Sequence, residues 1–292
     1  PTMEPGVERV VDLNPGESLN ITASGIEFAD AIENGCLVDS QGPPENVLPC
    51  PDLTGTHIVA EHPITVFGGH QCANVVQGID RCDHIESILF PVTVWGNTYV
   101  GSKFHPRAQG DFPEPDIWRI VASEDGTQVQ TTPPLDGVHG YTLNAGQWLQ
   151  FEATKPFVLG ASKPVGLAQY MVGSNWFGIP RVCNEGIDAA NPTGIGDPAM
   201  ATAVPVDQFR TDYLVLTPSA YEEDYLNIVA PAGRTVTLDG VPIPSDKWVP
   251  IATGAFEQAE LRVSDGFHVL QSDAPFGVMS YGYDCHVSYA YP

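Results

Sequence analysis

The sequence has few positive charges and no long apolar run. Its 292 residues include 12 Lys and Arg against 36 Asp and Glu, which gives a formal net charge of −24. A field of this sign repels the phosphates of nucleic acids and anionic lipid headgroups, so neither is expected as a partner. No apolar stretch approaches the roughly 18 residues that a membrane helix needs, so membrane insertion is not expected either.

The familiar motifs of nucleophilic catalysis and phosphate binding are also absent. The sequence contains no G-x-S-x-G and no Gly-rich phosphate loop. Glu222 and Glu223 are adjacent carboxylates of the kind that act on sugars, but acidic residues are so abundant here that such a pair arises by accident. We therefore expect no enzyme, and a polysaccharide-active hydrolase that uses scattered carboxylates is kept as an alternative.

The abundance of glycine, proline and hydrophobic residues favours β structure. The chain has 29 Gly and 27 Pro, only 16% charged residues and 42% hydrophobic residues, as in a turn-rich globular protein. Alternating stretches flank hairpin signals at Asp125-Gly126 and Asp265-Gly266, and no amphipathic helix exceeds two or three turns. The prediction is an all-β chain of antiparallel β-sandwich or jelly-roll-like modules with few or no long helices.

One short pattern occurs three times, as a proline followed by four or five residues of strand-like alternation. The copies are HPITVFGG, KPVGLAQY and APFGVMSY, and their prolines are Pro63, Pro164 and Pro275. Proline suits the first residue of a strand because it fixes φ and lacks a donor, so a buried strand is predicted to begin at each one. The alternative is that a β-rich sequence contains such strings by chance.

Further landmarks recur in the same order. The string WRIVA, at Trp118 to Ala122, matches YLNIVA, at Tyr225 to Ala230, and Trp148 has a counterpart in Trp248. About three repeated units are therefore predicted, packed as one compact body. Their bounds are 1–90 for an atypical disulfide-decorated β unit, 91–176 for the second unit, 177–205 for a long loop connection and 206–292 for the third unit. Within the first unit, Val7 to Ile26 is predicted to form two strands around a Pro-Gly turn.

The six cysteines are even in number and suggest three disulfides. Cys36 with Cys50, and Cys72 with Cys82, bracket short loops, which leaves Cys183 and Cys285 as a long-range pair. Fifteen connectivities are formally possible, and this one is the simplest. Such bridges predict an oxidising compartment, either outside the cell or on its surface. A chain that begins at Pro1 without a signal peptide is expected to be a mature or trimmed product.

Two metal sites are considered. His70, Cys72, Cys82 and His84 supply the donors of a tetrahedral zinc site, but their spacing matches no standard zinc module and a disulfide is simpler. A calcium site is predicted from the oxygen donors of one Gly-rich loop, and structural turn formation explains the same residues. These donors are Asp188, Asn191 and Asp197.

The long connection from Ser174 to Ala203 is the predicted ligand-binding loop. Long loops without regular structure inside compact domains are usually functional or mobile. Trp176 is the one tryptophan of this loop, whereas the other four fall on inferred strands where they fill the core. The predicted ligand contacts are Asn175, Trp176 and Phe177.

Several strings in series resemble the IgGFc-binding protein N-terminal domain family. They include FGGHQCANV, WRIVASEDGTQV, KPVGLAQYMVG, GDPAM and the closing YGYDCHVSYAYP, and the resemblance spans about Ile58 to Pro292. It implies extracellular placement, a β-rich domain and a role in binding or adhesion rather than catalysis, with Cys72 and Cys82 at the family's cysteine pair. It transfers no catalytic residues, and immunoglobulin binding is not carried over because no contact residues for it can be mapped.

The sequence therefore predicts an extracellular or cell-surface, non-catalytic binding or adhesion module. Loops on a rigid β scaffold would recognise a glycoprotein or a polysaccharide, with calcium as the one cofactor considered. The alternative is a structural subunit of a surface fibre or coat, in which exposed strands pair between copies of the chain.

Overall fold

A computed structural model describes residues 6–23, 52–75, 81–183, 193–252 and 254–292. Residues 6–23 and 52–53 belong to one compact unit, and the described residues from Thr54 onward belong to a second. No helix in these ranges is long and apolar enough to cross a membrane. The regular structure there is β-strand together with 3₁₀ turns at Val92–Val94, Val206–Gln208 and Ser245–Lys247.

The first unit contains the predicted turn but not the predicted strands. A turn lies at Pro15-Gly16, and the side chain of Glu17 accepts a hydrogen bond from the N–H of Asn14 at 2.8 Å. The two strands predicted between Val7 and Ile26 are wrong over the described part of this stretch, because residues 6–23 form no strand. Their alternating apolar side chains are exposed, so no buried face drives strand pairing.

A two-stranded antiparallel sheet opens the second unit. Strand β1 is Phe67–Ala73 and strand β2 is Asp83–Ile88, with His70 opposite Ile85. The strand predicted to begin at Pro63 instead begins at Phe67, and the preceding residues have no strand partner. A disulfide joins Cys72 to Cys82 beside this pairing, with their Cα atoms 5.0 Å apart.

A seven-stranded sheet forms what we call the first module. Its order is β6-β5-β8-β4-β7, and β3 and β9 also pair with β8. The strands are β3 (Gly96–Gly101), β4 (Asp116–Ala122), β5 (Thr127–Thr132), β6 (Thr142–Leu143), β7 (Trp148–Ala153), β8 (Phe157–Tyr170) and β9 (Met200–Thr202).

An eight-stranded sheet forms the second module. Its order is β13-β12-β16-β11-β15-β14, and β10 and β17 also pair with β16. The strands are β10 (Arg210–Thr217), β11 (Glu223–Pro231), β12 (Val236–Leu238), β13 (Val241–Pro242), β14 (Trp248–Ile251), β15 (Phe256–Val263), β16 (Gly266–Asp284) and β17 (Val287–Tyr291).

The two modules repeat one pairing scheme, which confirms the prediction of an all-β chain with repeated antiparallel modules. In the first module, the long strand β8 pairs along its first half with β3 and β5. In the second module, the long strand β16 pairs along its first half with β10 and β12. Along its second half, β8 pairs with β4 and β9, and β16 pairs in the same way with β11 and β17. The matched strings WRIVA and YLNIVA lie on the equivalent strands β4 and β11. Trp148 and Trp248 are not equivalent, because β7 pairs with β4 whereas β14 pairs with β15.

The prediction that strands begin at Pro164 and Pro275 is wrong, because both prolines lie inside the long strands. On one edge of β8, pairing with β5 ends at Ala161 and pairing with β4 begins at Val165. On β16, pairing with β12 ends at Ser272 and pairing with β11 begins at Gly277. Each proline therefore lies where the strand changes partners, at a position where its missing N–H breaks no ladder bond on that edge.

Each module has its own core, and a third cluster of buried residues draws on both. Trp118 packs edge-on against Phe157 in the first module, with ring centroids 5.0 Å apart. The third cluster combines Met171, which follows β8, with Tyr281 of β16 and with Phe104 from the β3–β4 loop. This loop is therefore enclosed where the modules meet. The predicted division into units at 1–90, 91–176, 177–205 and 206–292 stays a prediction.

Candidate binding site

A buried ion pair organises the loop between β3 and β4. The Nε and Nη2 atoms of Arg107 donate to Glu114 Oε1 at 2.9 and 2.7 Å, and both side chains are buried. The other carboxylate oxygen of Glu114 accepts the N–H groups of Arg107 and Ala108, at 2.7 and 2.9 Å. Burial alone would raise the pKa of Glu114, but the charges of Arg107 and Lys103, together with the hydrogen bonds that the carboxylate accepts, lower that pKa. Glu114 is therefore held ionised, and the loop is closed on itself.

Arg107 also fixes a second loop, the one predicted to bind ligand. Its guanidinium donates to the carbonyl oxygens of Val172, Ile195 and Gly196, at 2.7, 3.1 and 2.8 Å. Gly196 has a φ of 75°, and a Cβ added there would lie 2.7 Å from Nη1 of Arg107. Glycine is therefore required for the close approach of backbone to guanidinium. A planar guanidinium with several donors is suited to this role, whereas a lysine would satisfy fewer carbonyls.

A second buried carboxylate ties the base of the site to both modules. Asp116 at the start of β4 accepts hydrogen bonds from Lys103 Nζ at 2.6 Å, Phe104 N–H at 2.9 Å and Gln169 Nε2 at 2.7 Å. Burial raises the pKa of Asp116, against the lowering by Lys103. From the second module, Asn227 donates to the carbonyl of Lys103 at 2.8 Å. This network is saturated with partners, so its role is to hold the loops in place.

The disulfide Cys183–Cys285 fixes the far side of the ligand loop. It joins residues 102 positions apart, with their Cα atoms 5.5 Å apart. Two isolated backbone bridges accompany it, one from Cys183 to Thr193 and one from Ile195 to Cys285. The ligand loop is therefore tied to the residue that follows β16 at two interior positions, Cys183 and Ile195.

These anchors present an exposed aromatic patch, which we define as Phe112, Trp176 and Phe177. Phe112 is 56% exposed and Phe177 is 66% exposed, whereas Trp176 is only partly exposed and packs against a small buried cluster. The Trp176 and Phe177 rings are 6.2 Å apart in an edge-to-face arrangement. Gly178 packs against Phe112, because a Cβ added there would lie 2.9 Å from the Phe112 Cβ. The two loops thus form one continuous surface.

Unpartnered polar atoms accompany the aromatic patch. Among the described residues, Ser174 Oγ, Asn175 Oδ1, Trp176 Nε1 and Thr193 Oγ1 are buried and have no hydrogen-bond partner. Buried polar atoms are normally paired with protein, with ordered water or with a ligand. These four atoms lie beneath the protein surface, so they do not face a ligand that binds on the exposed phenylalanines.

A groove of about 400 Å³ adjoins Phe112. Lys103 and Glu114 both line the groove. The charge of Lys103 is neutralised by Asp116, and that of Glu114 by Arg107. Asp111 adds a carboxylate to the same lining. The groove is therefore apolar to acidic in character and offers an anion no free cation.

The family described as IgGFc binding protein matches residues 1–282. The chain belongs to this family. The human IgGFc-binding protein, from Homo sapiens, is 25% identical to the chain over 243 residues, which cover 82% of the chain. The chain spans only 4% of the length of that relative.

Solved structures contribute little beyond this family. An anti-sigma factor domain-containing protein covers 63% of the chain and 78% of its own length, with 12% identity and a TM-score of 0.17. A lectin of Pleurotus ostreatus covers 66% of the chain and 72% of its own length, with 10% identity and a TM-score of 0.17. Scores this low support no argument about the family's fold or function.

The predicted ligand contacts stay a prediction. Asn175, Trp176 and Phe177 lie on one turn, as their adjacency in sequence requires. Phe112, Arg107 and Glu114 were not predicted as site residues. The string DFPEPD around Phe112 was evident only as an acidic loop, and nothing local shows that it meets a loop some sixty positions later.

The predicted calcium site stays a prediction. Asp188 and Asn191 lie outside the described residues. Asp197 is buried, and its Oδ1 accepts the N–H of Ser174 at 3.3 Å. The described part of the chain contains no group of three or more His, Cys, Asp or Glu side chains placed to hold a metal ion.

The cysteines and the adjacent carboxylates Glu222 and Glu223 are the other residues that the sequence singled out. The structure joins Cys72 to Cys82 and Cys183 to Cys285, the pairings that the sequence predicted, and the first bridge removes both thiolates from the alternative zinc set with His70 and His84. Cys36 and Cys50 lie outside the described residues. Glu223 accepts the hydroxyl of Tyr225 at 2.8 Å and pairs with Arg262, while Glu222 is exposed, so these carboxylates do not form a shared site.

Proposed function

We propose that this chain is a non-catalytic binding module that works outside the cell and recognises a glycoprotein or a polysaccharide through the aromatic patch. The observation that carries this proposal is a pair of phenylalanines, Phe112 and Phe177, that are more than half exposed on two loops. Aromatic side chains held rigidly in solvent are typical of binding surfaces, because they supply contact area at a small cost in conformational entropy.

The anchoring of the loops supports binding rather than a purely structural role. The pair Arg107–Glu114 and the bridge Cys183–Cys285 hold both loops before any ligand arrives. A pre-organised surface loses less entropy on binding than a flexible one does.

The two described disulfides support placement outside the cell, because such bridges persist in oxidising compartments. Membership of the family is compatible with binding a protein that carries glycans. The name of the human relative concerns IgG Fc, and IgG Fc therefore belongs among the probes for this chain.

The test is a binding screen with a matched surface variant. Wild type, the double variant Phe112→Ala/Phe177→Ala and the control Phe67→Ala would be applied to a printed glycan array, to immobilised serum glycoproteins and to IgG Fc. Phe67 is an exposed phenylalanine on β1, so its loss controls for surface apolarity. We expect the double variant to lose at least about tenfold in affinity for the ligand found, while the control retains it. Equal binding by wild type and the double variant, or no binding to any probe, contradicts the proposal.

A further inference from the structure

The outer face of the second module carries a cluster of exposed apolar side chains. Leu214 lies opposite Val269, and Leu216 lies opposite Phe267, where β10 pairs with β16. These side chains are 68% (Leu214), 43% (Val269), 47% (Leu216) and 71% (Phe267) exposed. Directly opposed residues of antiparallel strands are in side-chain contact, so the four form one surface, which we call the outer apolar face. A sheet face turned to water is normally polar.

The first module shows that the fold itself does not require this surface. At the positions of Leu214 and Val269, the equivalent strands β3 and β8 place Val100 opposite Val158. The pair Leu216–Phe267 has no paired equivalent there, because β3 ends at Gly101 and β8 begins at Phe157. Both valines are only partly exposed. Large apolar side chains at these positions are therefore a property of the second module, and contiguous exposed patches of this kind usually mark interaction sites.

Strand β10 also has an open edge beside this face. Its described strand partner is β16. The N–H of Leu216 donates to the Tyr291 hydroxyl at 3.1 Å, and the carbonyl of Leu216 accepts from the same hydroxyl, so the backbone of Leu216 points away from β16. Backbone groups alternate along a strand, so those of Leu214 and Asp212 point to the same edge. Tyr291 occupies this edge at Leu216, so the stretch of Leu214 and Asp212 is where an added strand can pair.

The charges around the face define the partner. The carboxylate of Asp239 accepts the N–H of Val269 at 2.8 Å, and Asp212 and Asp265 are exposed within two residues of the face. Arg210 is the nearby cation on β10. Two copies of the chain, each with a formal net charge of −24, would repel each other, whereas a basic partner would be attracted.

We propose that β10 and the outer apolar face form a docking site for an extended segment of another protein in which apolar and basic side chains alternate. The segment adds to the open edge of β10 through its backbone and covers Leu214 and Phe267 with its apolar side chains. Its basic side chains meet the surrounding carboxylates. This site is separate from the aromatic patch and does not depend on it.

The probe is a synthetic peptide of about ten residues in which valine alternates with lysine, a length that spans one strand. Two further peptides serve as comparisons: one alternates valine with glutamate, and one keeps the lysines but has proline at two central positions. Fluorescence polarisation measures affinity at a salt concentration of about 0.15 M, where long-range attraction is largely screened. We expect the first peptide to bind at least about tenfold more tightly than either comparison.

Variants of the protein locate the contact. Leu214→Asn/Phe267→Asn should weaken binding about tenfold, whereas Val249→Asn, at an exposed valine of β14, should leave it unchanged. Independently of any variant, the valine–lysine peptide should slow amide hydrogen exchange at Asp212 and Leu214. Equal binding of the proline-containing peptide, retained binding by the double variant, or unchanged amide exchange overturns the proposal. Concentration-dependent dimers in sedimentation that the double variant abolishes would overturn it in favour of self-association.

Discussion

Arg107 is the residue on which the geometry of the aromatic patch depends most directly. Replacement by methionine, Arg107→Met, keeps much of the apolar stem but leaves Glu114 buried without its counter-charge. We expect the free energy of unfolding to fall by about 3–5 kcal/mol, the usual cost of breaking a buried pair. Urea unfolding followed by tryptophan fluorescence measures this loss.

A surface arginine provides the matched control for this experiment. Arg234 pairs with Asp273 at 3.5 Å, and both side chains are more than half exposed. Arg234→Met should cost less than about 1 kcal/mol, because exposed pairs contribute little. Equal losses for the two variants would show that Arg107 has no special structural role.

His105 makes the stability of the protein depend on pH. Its Nδ1 lies 2.6 Å from Glu260 Oε1, and its ring stacks on Tyr225 with centroids 4.7 Å apart. The hydrogen bond to Glu260 raises the pKa of His105 against the effect of partial burial, and the charges of Glu260, Glu223 and Glu114 raise it further. A histidine whose pKa is higher when folded stabilises the fold below its unfolded pKa, about 6.5, and this contribution is lost as pH rises through the folded value.

We therefore expect the unfolding free energy of wild type to decline from about pH 6 to pH 8 more steeply than that of His105→Gln. His268 is present in both proteins and cancels in the comparison. Burial lowers its pKa, but the hydrogen bonds to Asp239 and to the Ser264 carbonyl and the charges of Asp239 and Asp224 together raise it. Glu260→Gln should flatten the profile in the same way. Identical pH profiles in urea unfolding for wild type and both variants would refute this.

At the scale of elements, the close approach of β3 to the core of the first module depends on a glycine. A Cβ at Gly101 would lie 2.4 Å from Phe157 Cε1, and Phe157 is itself fully buried against Trp118. Gly101→Ala should lower the unfolding free energy by about 1–3 kcal/mol through overpacking.

Gly160 on β8 is the control for this prediction, since a Cβ there meets nothing within 4 Å. Gly160→Ala should leave stability unchanged or raise it by about 0.5–1 kcal/mol, because glycine in a strand interior carries an entropic cost. Thermal unfolding of both variants under one condition gives the comparison. A Gly160→Ala protein that is the less stable of the two would contradict this description of the β3–β8 pair.

At the scale of the whole molecule, the net charge of −24 sets a dependence on salt. Repulsion among the carboxylates destabilises the compact state, and salt screens that repulsion. The melting temperature should therefore rise by about 3 °C or more between about 0.02 and 0.3 M NaCl, and equally in KCl. A larger rise in calcium chloride at matched ionic strength would support the proposed calcium site. A melting temperature that falls with salt would show that attractive surface pairs dominate instead.

The sequence by itself determined the structural class and the repetition of the two modules. Alternation, turn residues and the matched strings WRIVA and YLNIVA are local signals, and they led to the correct strands β4 and β11. The pairings Cys72–Cys82 and Cys183–Cys285 followed from counting and spacing. Asn175, Trp176 and Phe177 were predicted as ligand contacts because an aromatic residue in an irregular loop stands out locally, and their role stays a prediction.

Tertiary structure alone decided the contacts between distant segments. Pro164 and Pro275 lie inside the long strands, at the points where β8 and β16 change pairing partners. No local sequence pattern shows where pairing with one strand ends and pairing with the next begins. Phe112 meets Gly178, and Arg107 reaches Gly196, because the fold brings two loops together around a buried charge. The exposure of Leu214 likewise depends on what the neighbouring strands leave uncovered, which the alternation of residues along β10 does not specify.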